Sequence, residues 1–559
     1  MFSCDFSSAS EEAGIQIVDA SSESLKEALT ITKRLTGTVD YQYYDGVIFT
    51  GIYSYIYSGI SGGAINCGSN KSIILSHNGS VEFSRNTAEA PGGNAYGGAI
   101  YVDSSSTLTM NDNGSVTFSM NKASSMGSLR EVNGGAIYAN GTISINHNTN
   151  VKFFENAGAI TSYKDVTLCH NGSVAFSKNK YALRVIGTSA SPEVTLCHND
   201  SVSVEDDMIF IQSGTLTLNH NGCVVFKMSQ GADRGASIYV SGTGVYLNDN
   251  KRVSFGGNVQ DSTYTDYSGA ISTSGNLSIR NNGEVEFYGN AEKSGSTYQL
   301  RSINAGGFGK LVSLSAAKDK SITFRDSIYI ASGSTVELNA AYTTEKGEEL
   351  QQGGDIVFSG ASIEDDLYKA KGNKAGTEGE ILNSLTTEVN AMTNLYGGRL
   401  RVEDGAIYQG YGITAHEGSE ATVLVKDATL NHSGYDLIFN AGTTLELAGA
   451  NTITGNVQML ADSILHIDFS GNENATQLQS LSLGEDTNLL LTVASGGDGK
   501  TYTLLSGLSN VQDKNGNTLT AGSYSINDYF DETAPRLRLL GRCYPGVYCR
   551  WHAADYAAQ

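Results

Sequence analysis

The chain has 559 residues and a formal charge of −22, which argues against nucleic acid as a partner because a phosphate backbone is held by cations. Glycine numbers 65 and proline only 4, the composition of a chain with many tight turns and few breaks. No run of about 18 apolar residues occurs, so no membrane-crossing helix is expected, and residues 1–20 lack the basic start and apolar stretch of a signal peptide.

Residues 1–60 read as an N-terminal cap, with Ser22–Lys33 expected as a short helix. Tyr53, Tyr55 and Tyr57 alternate with small or apolar residues and therefore line one strand face. They read either as an aromatic binding strip or as a strand capping the first repeat, and capping is the expectation.

Residues 61–330 are a repeat array. The stretch His77-Asn78-Gly79-Ser80-Val81-Glu82-Phe83-Ser84-Arg85-Asn86 returns, with drift, seven more times. Its asparagine is Asn78, Asn113, Asn148, Asn171, Asn199, Asn221, Asn250 and Asn282. Three residues on stands Val81, Val116, Val151, Val174, Val202, Val224, Val253 or Val285. Two further on is Phe83, Phe118, Phe153, Phe176, Phe226, Phe255 or Phe287, with Val204 the one substitute. Aliphatic residues also recur three and five places upstream, as Leu75 and Ile73 do in the first copy. Positions two apart share a face only in a strand, so each copy is a strand, a sharp polar turn at the asparagine and a second strand.

The copies are spaced by 35, 35, 23, 28, 22, 29 and 32 residues. One turn sequence surviving such uneven spacing implies a solenoid, in which each coil stacks on its neighbours and extra residues leave as loops. The shortest spacings fit one coil of a right-handed, single-stranded parallel β-helix with three short strands. Stacking sets like side chains about 4.8 Å apart and lines the asparagines into a ladder.

Two tetrapeptides accompany the array. Gly62-Gly63-Ala64-Ile65, Gly97-Gly98-Ala99-Ile100 and Gly134-Gly135-Ala136-Ile137 precede the aligned strands; weaker copies are Ala157–Ile160, Gly235–Ile238 and Ser268–Ile271. Asn86, Asn121, Asn156, Asn179, Asn258 and Asn290 complete a Phe-x-x-Asn unit in six of the eight copies. Cys169 and Cys197 hold one repeat position in neighbouring coils, within disulfide range, and read either as a bridge or as two free small side chains. His77, His147, His170, His198 and His220 stand just before the ladder asparagine, with Asp112 and Asp249 in that place elsewhere. Stacked imidazoles offer zinc or copper ligation; a solvated polar row is the preferred reading, and no metal or cofactor is assigned.

The ordered set of Gly-Gly-Ala-Ile and Phe-x-x-Asn units resembles the chlamydial polymorphic outer membrane proteins. Ser321–Ile328, Gly354–Gly360, Gly397–Val402, Gly405–Ile407 and Gly442–Leu445 resemble that family's later segments, so the likeness covers roughly residues 61–460. It implies an autotransporter passenger, a surface β-helix exported through a C-terminal barrel and acting in adhesion. The array departs from the family in being poor in cysteine. Residues 331–541 still read as passenger strands, for example Asn488–Val493 and Thr501–Leu505. Residues 542–559 fit no strand pattern, so a truncation or frameshift near Gly541 is expected, with no C-terminal barrel in this chain. Attachment to a membrane would then run only through that missing barrel.

The expected function is a non-catalytic passenger at the cell outer membrane, cell surface or outside the cell, an adhesin for a host-cell or glycan surface receptor. Variable inserts such as Ser124–Glu131 and Ser294–Ile303 are the candidate recognition elements. The alternative is a secreted β-helix polysaccharide lyase or hydrolase, which needs grouped acids. Asp206-Asp207 and Glu364-Asp365-Asp366 are the available carboxylates and read as exposed turn acids. No His-Glu-x-x-His zincin helix and no Gly-x-x-x-x-Gly-Lys phosphate loop occurs, and Asn111-Asp112-Asn113-Gly114 carries only part of a calcium loop. Whether the tetrapeptides touch a receptor or only fold the chain is open; their apolar positions favour folding.

Overall fold

The structure, a computed structural model, describes residues 25–539 apart from 126–133, 188–190, 232–236, 262–267, 295–296, 345–346, 361–379, 383–384, 470–475, 485–486, 494–504, 507–509, 513–517 and 520–537. The described residues form strands and no helix, and nearly all strand pairs are parallel. The chain divides into two units, one of Met1–Ser278, Asn282–Ala305 and Asp366–Ile381, the other of Ile279–Asn281, Gly306–Asp365 and Leu382–Gln559.

In the first unit one coil is Ile65–Cys67, Ser72–Ser76 and Ser80–Ser84, and the next is Ile100–Val102, Thr107–Asn111 and Ser115–Ser119. They pair in register, Ile100 with Ile65, Leu108 with Ile73 and Val116 with Val81. The same register carries Val116 to Val151, Val174, Val202, Val224, Val253 and Val285. Alternation explains the core: every second side chain of Ser80–Ser84 turns inward, and those inward residues stack as a column. None of the eight valines is more than 2% exposed. Phenylalanine rings lie nearly parallel above one another, with centroids 4.8 Å apart for Phe83–Phe118 and Phe118–Phe153 and 5.1 Å for Phe153–Phe176. After Val204 the column resumes at 4.8 Å for Phe226–Phe255 and 4.9 Å for Phe255–Phe287.

Two features of the N-terminal stretch differ from expectation. Val39 and Tyr41 pair with Ile73 and Leu75, and Val47 and Phe49 with Val81 and Phe83, so a further coil lies inside the stretch read as a cap. Tyr44 holds its corner where the other copies have asparagine. The helix expected over Ser22–Lys33 is absent from its described part. Leu29–Ile31 is a strand on Val47–Phe49, because Leu29 and Ile31 alternate and extend the open edge of that coil.

The second unit is also a parallel β-helix. Ile356 pairs with Leu400, which continues through Val423, Leu445, Leu465 and Leu489, and Phe358 leads likewise through Val402, Val425 and Leu447 to Ile467. This column is aromatic at Phe324 and Phe358 and aliphatic from Val402 on, with Tyr408 and Phe439 also buried in the unit. Asn488–Val493 is a strand as read; Thr501–Thr503 and the tail 542–559 lie outside the described residues.

Phe176 is fully buried between Phe153 and Val204. Phe176→Ala is expected to destabilise the chain by about 3–5 kcal/mol, read as a shift in the chemical-denaturation midpoint. An unchanged midpoint would contradict the stacked core.

Candidate functional site

The corners carry the structure's chemistry. The residue before each ladder asparagine sits in the left-handed region: φ is 56° at His77, 58° at Asp112, 57° at His147, 56° at His170, 53° at His198, 56° at His220 and 58° at Asp249. Aspartate and histidine tolerate that conformation better than most side chains do, which accounts for their recurrence there. The asparagine then turns inward. Asn113 Oδ1 accepts from the backbone N–H and the Nδ2 of Asn78, at 3.0 and 3.1 Å, while Asn113 Nδ2 donates to the Leu75 carbonyl at 2.9 Å. The pattern repeats through Asn148, Asn171, Asn199, Asn221, Asn250 and Asn282, each at most 2% exposed.

Sequence reading had not anticipated that the Phe-x-x-Asn asparagines form a second such ladder at the next corner. Asn86 bonds Asn121, Asn121 bonds Asn156 and Asn156 bonds Asn179, while Asn258 bonds Asn290. Each also donates to the phenylalanine carbonyl of the preceding coil, as Asn121 Nδ2 does to Phe83 O at 2.9 Å. All six are at most 4% exposed. The spacing therefore has a structural cause: three residues past the inward ring, the amide closes the corner below.

One rung of this second ladder is an acid. Asp207, read as an exposed turn residue, is 3% exposed, because it occupies the asparagine place after Val204. Its Oδ2 accepts from Asn179 Nδ2 at 2.7 Å, and its buried Oδ1 has no hydrogen-bond partner. An amide would donate there; a carboxyl can do so only when protonated. The next rung, Ser229, offers no amide either and is picked up by Asn258 Oδ1 at its backbone N–H. Burial pushes the Asp207 pKa up to about 8; the Asn179 hydrogen bonds oppose the rise and the Asp206 charge adds to it. The folded chain thus holds a proton that the unfolded chain, near 3.8, does not. The stabilisation is complete below about pH 4 and is lost as pH rises through about 8. Asp207→Asn is expected to flatten the fall in melting temperature between pH 5 and pH 9 and to stabilise the chain at pH 9 by several kcal/mol, since each unit of pKa displacement is about 1.4 kcal/mol. A parallel fall in both proteins would rule out this origin.

Gly-Gly-Ala-Ile is likewise consumed by the fold. Gly62, Gly97 and Gly134 have φ of 75°, 61° and 65°, and a Cβ on Gly63 would lie 2.0 Å from the Gly98 carbonyl oxygen. Ala64, Ile65, Ala99, Ile100, Ala136 and Ile137 are fully buried. Leu183 and Ile209 fill the isoleucine place in two coils that keep neither glycine; the signal was the lone apolar residue opening each strand. Gly235 and Ala236 of a weaker copy lie outside the described residues.

Cys169 and Cys197 are bridged, with Cα atoms 4.6 Å apart. Beside them His147, His170, His198 and His220 stack with centroids 4.8, 4.7 and 4.7 Å apart. Burial, then the His198 and His147 charges, lower the His170 pKa. Among the described residues no group of three or more His, Cys, Asp or Glu is disposed to hold a metal ion. Asn113 of the partial calcium loop is spent on the ladder. Glu364-Asp365-Asp366 and most of Ser124–Glu131 lie outside the described residues. The described part of Ser294–Ile303 belongs to an antiparallel hairpin of Ala291–Ser294 with Thr297–Ala305. Tyr53, Tyr55 and Tyr57 are 61%, 51% and 68% exposed, so their rings face solvent, not a covered coil.

Fold and corners together define a parallel β-helix of stacked repeats with polar ladders at its turns. Its similarity lies with chlamydial surface proteins. The chain is 28% identical over 245 residues to "Probable outer membrane protein pmp7" of Chlamydia pneumoniae, covering 42% of this chain and 23% of that protein. It is 28% identical over 278 residues to "Probable outer membrane protein pmp8" of the same organism, covering 47% and 28%. The chain thus spans about a quarter of the length of these curated relatives. No protein-family model and no solved structure matches it. The likeness supports an autotransporter-type surface protein and is consistent with an outer-membrane or cell-surface location.

Proposed function

We propose that the chain is a non-catalytic adhesin passenger that binds a host-cell or glycan surface. The observation that carries this reading is the burial of the Gly-Gly-Ala-Ile residues and of the Phe and Asn of Phe-x-x-Asn. With the repeated residues spent on folding, recognition falls to the outer strand faces and the loops between coils. Many weak contacts along such faces add by avidity. Of the carboxylates considered for an enzyme, the described pair is split: Asp207 is buried in a ladder while its neighbour Asp206 holds the corner with a φ of 53°.

Beads coated with the purified chain are expected to adhere to epithelial cells well above albumin-coated beads, and the chain is expected to release no sugar ends from pectin, alginate or mucin glycans. Sustained release of reducing ends would favour the polysaccharide-degrading alternative instead.

A further inference from the structure

The densest group of exposed large side chains in the described residues is Tyr53, Tyr55, Ile56 and Tyr57. Tyr53–Tyr55 is the outer strand of a three-stranded parallel sheet with Thr87–Ala90 and Lys122–Ser125. Its inward side is sealed: Ser54 is 9% exposed and stands in register with the buried Ala88 and Ala123. The tyrosines therefore rise from a firm base, Tyr53 and Tyr55 about 6.6 Å apart as alternate strand residues.

Two of the rings are held in place. The Tyr53 hydroxyl donates to Glu89 Oε2 at 2.7 Å. Tyr57 packs against Gly92, where a Cβ would come within 2.4 Å of the ring. Fixed rings lose little conformational entropy on binding. The rest of the face is polar and of mixed sign, since Lys122 and Thr87 stand in register with Tyr53, and Glu89 and Ser124 with Tyr55.

We infer that Tyr53, Tyr55 and Tyr57 are a platform for an uncharged glycan chain. Exposed aromatic rings grouped on one surface take the C–H faces of sugar rings, and Glu89, Thr87 and Ser124 stand in register beside them to pair with hydroxyls. A polyanion meets Glu89 and a chain of net charge −22, while a polycation is opposed on this face by Lys122 and is the occupant that octalysine tests. This inference rests on the adhesin reading and names the class of its ligand.

The test uses the full chain and three uncharged tetrasaccharides, cellotetraose, chitotetraose and a lactosamine tetrasaccharide, with a heparin tetrasaccharide and octalysine for comparison. Titration calorimetry is expected to show binding of at least one uncharged tetrasaccharide, weakened tenfold or more in a variant carrying Tyr53→Ala, Tyr55→Ala and Tyr57→Ala. Tyr53→Phe should keep most of the affinity, because the ring remains. An unchanged melting temperature in the triple variant secures the comparison. No binding of any uncharged tetrasaccharide, equal binding by the triple variant, or a loss confined to octalysine or heparin would each overturn the inference. Bead adhesion separates the two readings. Adhesion by wild type and triple variant alike overturns the platform and leaves the adhesin standing. Tetrasaccharide binding that the variant loses, with no bead adhesion by wild type, does the reverse.

Discussion

A side-chain amide that both gives and takes hydrogen bonds in one direction is what lets this chain turn the same corner again and again. Each coil must bend sharply between two core strands, and the bend leaves a backbone N–H and a carbonyl pointing into a dry interior, where neither can be left alone cheaply. The asparagine of the next coil answers the N–H, and its own Nδ2 answers a carbonyl behind it, as Asn113 does for Asn78 and Leu75. Only a neighbour one level away can do this. The amide therefore makes each corner depend on the corner above it, and register follows from the same contacts.

That dependence explains why the loops vary so freely. Closing a longer loop costs only slowly more entropy, so coils of 22 and 35 residues coexist as long as the turn asparagine arrives at its corner. The two repeated tetrapeptides are parts of one device. Phe-x-x-Asn fixes the distance from an inward ring to the second corner, and Gly-Gly-Ala-Ile removes side chains where one backbone passes another. Because these residues face inward, the chain's individuality lies in what faces outward.

The aligned Asn, Val and Phe positions were legible in the sequence because strand alternation and stacking leave few other solutions once the spacing is written out. What was missed was missed for physical reasons. The coil over Val39–Phe49 keeps the four apolar positions but puts Tyr44 at the corner, and an alignment anchored on asparagine passes over it. Ser22–Lys33 has polar and aliphatic spacing that a helix also accepts, and an open strand edge decided the matter. Asp207 hid because acids at turns are usually wet; only the asparagines stacked before it, ending at Asn179, reveal that its place is an amide's. The exposure of Tyr53, Tyr55 and Tyr57 could not be read from alternation, which tells which residues share a face but not which face is covered.

Stacked coils share their stability mainly with their neighbours, so defects are local. Two defects fall in one coil. Val204 replaces the ring that Phe176 and Phe226 would otherwise sandwich, and three residues later Asp207 replaces the amide. The valine gives up ring-on-ring packing that Phe83, Phe118 and Phe153 enjoy. The acid accepts from Asn179 but, being buried, is held largely protonated and cannot donate as the amide does from a second nitrogen. Just before this coil the Cys169–Cys197 bridge ties its leading strand to the one below. Covalent linkage beside two such substitutions offsets part of what they cost, since a solenoid opens where neighbour contacts are lost.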